Sequence, residues 1–289
     1  MRRRYPASRT GRRVLIFARR STLEKTKGSL VIVGSGINTT CHLTQEAIAR
    51  IKSAEKVLYV VGDPIGKNVI SRLNPEAESM ASFYEPGKPR MTTYEQMIAR
   101  MVECVVAGLR TCAVFYGHPG VFAYPTHEAI RRLRGQGYQA RMLPGISAED
   151  CLFADLGVDP AQHGCQSYEA TQLALYRYKL DPTVALVVWQ PGAFAQHTYS
   201  AEEYDLSRLP ELLAYLSEFY PLEHEVCVYE ASIFPECEPR ADWIPLRRLV
   251  EVPLTSASTM YVPPVRRAVP DPAALERLGL PVATSPRPA

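Results

Sequence analysis

The sequence predicts an α/β protein in two units: a largely parallel sheet flanked by helices, then a strand-rich unit with more antiparallel pairing. Three observations lead there. Short apolar runs alternate with amphipathic stretches from residue 29 to about residue 145. A Pro-Gly pair closes each of two consecutive apolar runs, at 119–120 and 144–145. Beyond residue 155 the apolar runs continue with fewer helical stretches between them.

Taken in order, "SLVIVGSG" (29–36) reads as a buried strand entering a glycine loop, and a helix follows Thr44 with Leu43, Ala47, Ile48 and Ile51 on one face. "KVLYVVG" (56–62) is a second strand. The next helix, "TTYEQMIARMVECVVAG", is expected to open on a capping box from Thr93 to Gln96, to bury Met97, Met101 and Val105, and to stop at Gly108. "TCAVFY" (111–116) is a third strand, "THEAIRRLRGQG" a helix and "YQARMLPG" a fourth strand. A helix from Ser147 to Asp155 leads to strands at "CQSYEA", "ALVVWQ", "HEVCVYEA", "WIPLRRL" and "TSASTMYVPP". After Pro263 the chain is rich in Pro and Arg, and only "PAALERLGL" has helical character. The expected organisation is a basic leader (1–28), two α/β subdomains (29–145 and 146–265) and a tail (266–289).

Charge separates the leader from the rest. Residues 1–28 carry +9, while the remainder carries −6 within a net +3. The folded part is therefore mildly acidic, which argues against a nucleic-acid surface there. The leader reads as a disordered tail or an overlong gene start, with a nucleic-acid arm as the alternative, and its "VLIF" is too short for a signal-peptide core of about 7–15 residues. Seven cysteines with no C-x-x-C pair, several inside apolar runs, fit reduced thiols of a cytoplasmic protein. No apolar run approaches the roughly 18 residues that a membrane helix needs.

The chemistry is sought at the loops. "VGSGIN" (33–38) misses the dinucleotide fingerprint because Thr39 stands at the third glycine position. In "FYGHPGVF" (115–122), His118 has only His127 nearby and no H-E-x-x-H, so a metal site is not expected. No G-x-S-x-G nucleophile elbow occurs. What remains is a turn at the carboxyl end of a buried strand, where open α/β sheets bind ligands. Pro119 and Gly120 specify type II for it. Ser147 caps the following helix, with Glu149 and Asp150 complementing its dipole. "GDP" at 62–64 reads as an ordinary turn.

"VGSGINTTCHLTQEA", "YGHPGVF" and "PGISAED" together resemble three successive motifs of the S-adenosylmethionine-dependent tetrapyrrole methylase superfamily, with His118 where that superfamily usually has Asp. Added to "RMTTYEQM", "LGVDP", "HGCQSYEA", "YPLEHEVCVYEA" and "STMYVPP", the likeness narrows to the borosin α-N-methyltransferases, over residues 29 to 265. The resemblance implies a class III methyltransferase fold with the cofactor in the cleft between the two subdomains. It implies S-adenosylmethionine held by Tyr116, His118, Val121, Phe122, Ser147, Ala148, Gln190, Tyr229, Ser258 and Thr259, with His118 as a hydrogen-bonding wall. It implies a catalytic cluster of Tyr84, Arg90 and Tyr94. Arg90 is expected to lower the pKa of a neighbouring tyrosine, which serves as base, while Arg90 or a tyrosine hydroxyl supports the oxyanion.

The implied substrate is a separate precursor peptide, because "GLPVATSPRPA" holds no Val/Ile-rich core segment. The implied assembly is a homodimer, or a heterotetramer with the precursor. Two alternatives stand beside this reading: a tetrapyrrole or other small-molecule methyltransferase of the superfamily, and a non-catalytic binding member.

Overall fold

Alternation of apolar residues along the strands decides how the chain layers. The structure, a computed structural model, describes residues 27–62, 64–200 and 204–281. Its first sheet is formed by β1 (Ser29–Gly34), β2 (Lys56–Val60), β3 (Ala77–Ser79), β4 (Arg110–Phe115) and β5 (Gln139–Met142) in the order β3-β2-β4-β1-β5, with every pairing parallel. Between them run α1 (Thr39–His42), α2 (Gln45–Ser53), α3 (Pro64–Leu73), α4 (Arg90–Val106) and α5 (Tyr124–Gly135). Leu30, Ile32, Leu58, Ala113 and Phe115 bury against α4 and α5 on one face. Val33, Val57, Tyr59, Cys112 and Val114 bury against α2 and α3 on the other. A parallel sheet covered on both faces must read as continuous apolar runs, as these strands do.

After α6 (Ala148–Leu156), the second sheet takes β6 (Cys165–Glu169), β7 (Ala185–Trp189), β8 (Glu225–Glu230), β9 (Arg240–Pro245) and β10 (Thr259–Val262) in the order β6-β7-β10-β8-β9. Only β6 and β7 pair in parallel; the other three pairings are antiparallel, as expected. One face packs on α7 (Ala170–Tyr176) and α8 (Leu209–Leu216) through residues such as Val188, Val228, Met260, Leu173 and Leu212. The other face, with Val187, Trp189, Cys227, Tyr229 and Tyr261, receives Leu152 of α6. A last helix, α9 (Pro272–Leu278), ends on Gly279 with φ 63°.

Some elements differ from expectation. α4 starts at Arg90, so Thr93 and Gln96 lie inside the helix and no capping box forms. Backbone pairing with residues 197–199 occupies the helix start instead: the Arg90 N–H donates to the His197 carbonyl at 3.1 Å. Thr93 sends its hydroxyl to the Phe83 carbonyl, and Lys88 bonds both that carbonyl and Gln96. "WIPLRRL" is a strand only to Pro245, after which Leu246–Val250 coil into a 3-10 turn that buries Leu246 and Leu249. α3 and β3 gave no clear signal. Gly66 weakens the helical pattern of α3, and β3 is three residues without an apolar run, held by pairing to β2 and by Glu78. Arg100 grips Glu78 at 2.7 and 2.8 Å and Lys56 reaches it at 2.7 Å, which lowers its carboxyl to about 2. All seven cysteines are unpaired, and Cys104, Cys112 and Cys227 are buried as small apolar groups. Residues 1–26 of the leader and Asp63 of the "GDP" turn lie outside the described residues, as does the end of the tail.

At the carboxyl end of the first sheet, three loops touch backbone to backbone. A Cβ on Gly34 would lie 2.2 Å from the Gly117 carbonyl oxygen and 3.2 Å from Gly145 Cα. Gly34→Ala is expected to cost about 2–4 kcal/mol, because rigid backbone must move, and so to lower the melting midpoint by about 5–10 °C. Gly135→Ala, at the end of α5 with nothing within 4 Å, is the control. It should leave the midpoint unchanged or raise it slightly. Thermal denaturation of both variants checks this.

Candidate active site

From β1 the chain crosses β4 to reach β2, while from β4 it crosses β1 in the opposite direction to reach β5. The crevice therefore opens at the carboxyl ends of β1 and β4, the switch point of the sheet. There Gly36 and Gly117 exchange backbone hydrogen bonds at 3.3 and 3.1 Å, which closes the crevice itself. Ligand space is displaced toward the second sheet. The turn carrying His118 departs from the type II expectation. The Val121 N–H does donate to the His118 carbonyl at 3.2 Å, but the positive φ falls on Gly117 (66°) and not on Gly120. Space at 120 is tight: a Cβ there would lie 2.7 Å from Met142 Sδ, so the Met142 side chain would have to shift. His118 stiffens the turn by accepting from the Gly120 N–H on Nδ1 at 3.0 Å.

Beyond this turn lies a cavity of about 300 Å³ between the two sheets. Tyr116, His118, Val121 and Phe122 line it from the loop after β4, Ser147 and Ala148 from the start of α6, and Gln190 and Thr259 from the second sheet. Phe122 (φ 51°) and Gln190 (φ 55°) both sit in the left-handed region. Strain of about 1–3 kcal/mol at each such residue is characteristic of binding sites. Phe122 and Trp189 tilt together with ring centroids 5.3 Å apart. Ser147 is tied into a capping box with Asp150, and its N–H and hydroxyl both donate to that carboxylate.

This cavity suits S-adenosylmethionine. Its size is at the lower end of the roughly 300–1,000 Å³ of ligand pockets, and its walls are aromatic with a few polar groups. Thr259 is 2% exposed, yet its hydroxyl has no hydrogen-bond partner among the described residues. The Gln190 amide is likewise unpartnered among them. The fully enclosed side-chain polar atom without a partner among the described residues is the Tyr220 hydroxyl, in the core of the second sheet; the Thr259 and Gln190 groups instead open on the cavity, where a polar ligand can meet them. A larger recess of about 800 Å³ lies behind residues 144–146. Two of its acids are already engaged, Asp150 in the cap of α6 and Asp155 accepting from the Tyr229 hydroxyl at 2.6 Å.

At the far wall, Tyr84 and Tyr94 face the same cavity. Because α4 begins at Arg90, Arg90 and Tyr94 share one helix face at i, i+4. Arg90 is outside the cavity wall, donating from Nη2 to the Tyr204 hydroxyl at 3.0 Å with its guanidinium over the Tyr204 ring. Tyr199 packs on Tyr84 with centroids 4.8 Å apart. α4 itself is locked by Arg100 on Glu78 and by a bidentate Arg132–Glu95 pair to α5 at 2.8 and 2.9 Å. Burial drives the pKa of both Tyr84 and Tyr94 upward; the charge of Arg90 pulls both downward but is the smaller effect. The expected net lowering by Arg90 is thus reversed, because these phenols lose more solvation than one nearby cation returns.

The structure brings ten of the thirteen named residues to one cavity. Arg90 stands behind the wall, Tyr229 is fully buried beneath it, and the Ser258 hydroxyl is spent on Glu230 at 2.5 Å. Sequence reasoning missed Ile37, Tyr199, Tyr204 and the ring of Trp189. Trp189 was legible, as the last residue of an apolar run ending in the site, but Tyr199 and Tyr204 lie in a loop without periodicity. Among the described residues no cluster of His, Cys, Asp or Glu has the makings of a metal site, and no helix is long and apolar enough to cross a membrane.

Comparison with known proteins agrees with this geometry. Residues 29–232 match the Tetrapyrrole (Corrin/Porphyrin) Methylases. Among curated proteins, the chain is 41% identical over 263 residues to a methyltransferase/ribosomally synthesized type I borosin cyclic peptide precursor from Mycena rosella, covering 89% of this chain and 65% of that protein. It is 38% identical over 257 residues to the methyltransferase/omphalotin A precursor of Omphalotus olearius, covering 88% and 62%. The chain thus spans a little under two thirds of the length of these fused relatives. Among solved structures, uroporphyrin-III-C-methyltransferase from Thermus thermophilus superposes with a TM-score of 0.60 at 19% identity, over 90% of this chain and 99% of that one. Diphthine synthase gives 0.58 at 13%, over 81% and 89%. With the fold, the loop motifs and the relatives in agreement, the chain belongs to the tetrapyrrole methylase family and is a relative of the borosin methyltransferases within it.

Proposed function

We propose that this protein is an S-adenosylmethionine-dependent methyltransferase acting on backbone amide nitrogens of a ribosomally made peptide, in borosin biosynthesis. The observation that carries the reading is a single cavity with two differently equipped walls. One wall offers the unpartnered Thr259 and Gln190 beside the tilted Phe122–Trp189 pair; the other offers two half-buried tyrosines backed by Arg90. Bound there, the cofactor supplies an electrophilic methyl group, whose sulfur–carbon bond breaks as the nitrogen–carbon bond forms. The protein's work is on the acceptor. An amide nitrogen is a poor nucleophile while its lone pair is delocalised into the carbonyl. Removal of the N–H proton moves negative charge onto the amide oxygen. The Tyr84 and Tyr94 hydroxyls, held protonated by burial, are donors suited to that oxygen, and Arg90 stabilises the charge from behind. If one tyrosine is also the base, it must work from a small ionised fraction.

We further propose that the peptide comes from a separate precursor chain. Two subdomains, 29–145 and 146–265, a homodimer or a heterotetramer with the precursor, and a cytoplasmic location complete the reading. The seven unpaired cysteines support the last.

The decisive experiment incubates the protein with S-adenosylmethionine and a separate β-branched peptide, and follows the peptide by mass spectrometry with fragmentation. Backbone-localised methyl gain supports the proposal, and methylation of a tetrapyrrole alone would replace it. In that assay Arg90→Ala should lower the turnover rate about 100-fold. Its cofactor affinity by calorimetry should stay within about twofold, since Arg90 is outside the cavity wall. Thr259→Val, which removes the unpartnered hydroxyl, should weaken cofactor binding about 5–10-fold without lowering the melting midpoint. For a tyrosinate base whose pKa lies above the usual value of about 10, the rate at saturating substrate should rise close to tenfold per pH unit from pH 7 to 9. A plateau in that range assigns proton removal elsewhere.

A further inference from the structure

The guanidinium of Arg90 is held from across the molecule. Residues 197–199 run antiparallel to residues 87–90: the Gly87 N–H donates to the Tyr199 carbonyl at 2.9 Å, the Tyr199 N–H to the Lys88 carbonyl at 3.0 Å and the Arg90 N–H to the His197 carbonyl at 3.1 Å. This strap leaves the second sheet after β7 and ends its described course at Ser200; Tyr204 follows. The Tyr204 oxygen accepts from Arg90 Nη2 at 3.0 Å and from the Ser200 N–H at 3.3 Å, so both its lone pairs are engaged. Its ring lies under the guanidinium, 5.3 Å from centroid to Cζ. Tyr204 is not part of the cavity wall.

Resting on the reading of the cavity as a peptide methylation site, we propose that Tyr204 is a positioning residue that fixes the guanidinium of Arg90 behind Tyr84 and Tyr94, with the strap as its mount. A free arginine side chain samples many rotamers, and preorganised charge acts on a developing oxyanion only from a fixed place. Ring and hydroxyl have separable tasks here. The ring supports the plane of the guanidinium, while the hydroxyl sets its rotation.

Tyr204→Phe keeps the ring and removes the acceptor. Turnover is expected to fall about tenfold, with the peptide KM and the cofactor affinity within about twofold of wild type, and with an unchanged melting midpoint. In an Arg90→Ala background the same substitution should have no further effect. A second readout needs no activity. Nitrogen-15 spectra of the arginine side chains, with Arg90 assigned by its loss in Arg90→Lys, should show resolved Nη signals in the wild type that merge in Tyr204→Phe. An equal loss of turnover with and without Arg90, a loss confined to KM, or merged Nη signals already in the wild type would overturn the proposal. Absence of any methylation by the wild type, with the spectra behaving as expected, would sink the function reading and leave the positioning role standing.

Discussion

The site rests on one steric constraint, the contact of three glycine loops at the end of the parallel sheet. Gly34 and Gly145 come within van der Waals reach of each other and of the Gly117 carbonyl because neither carries a side chain, while Gly117 itself is set by its φ of 66°. Their closeness lays the loop after β4 against the loop after β5, and it seals the crevice between β1 and β4 with the Gly36–Gly117 bridge. A sheet whose switch point is sealed presents its ligand groups upward, onto the second sheet. The cavity is shared between the two sheets for this reason, and Trp189, Gln190 and Thr259 complete it from the far side.

A second constraint acts at right angles to the first. α4 is fixed at its middle by Arg100 on Glu78 and by Glu95 on Arg132, and at its start by the strap from the second sheet. Side-chain capping would have satisfied the helix start as well, yet would have left it independent of the second sheet. Backbone pairing makes the position of Arg90 a property of both halves. The same pairing places Tyr199 over Tyr84. A half-buried arginine held this way is compatible with raised pKa values at Tyr84 and Tyr94, because protonated phenols are hydrogen-bond donors that add no charge beside it.

Much of the fold was legible from residues alone. The apolar runs of β1, β2, β4, β7, β8 and β10 announce buried strands, and Thr44 and Ser147 announce the helices they cap. The cofactor-side residues were legible through loop motifs that resemble a known family. What was illegible depends on distant parts of the chain. β3 is a strand because β2 offers an edge and Glu78 finds two cations. The start of α4 moved three residues upstream of its apparent cap because residues 197–199 supply the missing acceptor. Arg90's partner lies 114 positions away, and no local pattern marks a tyrosine that matters only through an arginine. The pKa direction of Tyr84 and Tyr94 was missed for a related reason. Charge proximity is readable from spacing, whereas depth of burial is not.

The strap also sets an order of events during synthesis. Residues 84–94 leave the ribosome long before residues 197–204, and at about 5–20 residues per second the delay between them is on the order of 5–20 s. Over that interval the first sheet can form while the N-terminal N–H of α4 lacks its carbonyl partner and Arg90 lacks its mount. The arrangement of Arg90 beside Tyr84 and Tyr94 therefore sets well after the first sheet. A nascent or truncated chain that has folded its first sheet holds the tyrosines and the arginine, but in an unset arrangement. The placement of Arg90 is thereby tied to the emergence of the strap that follows β7.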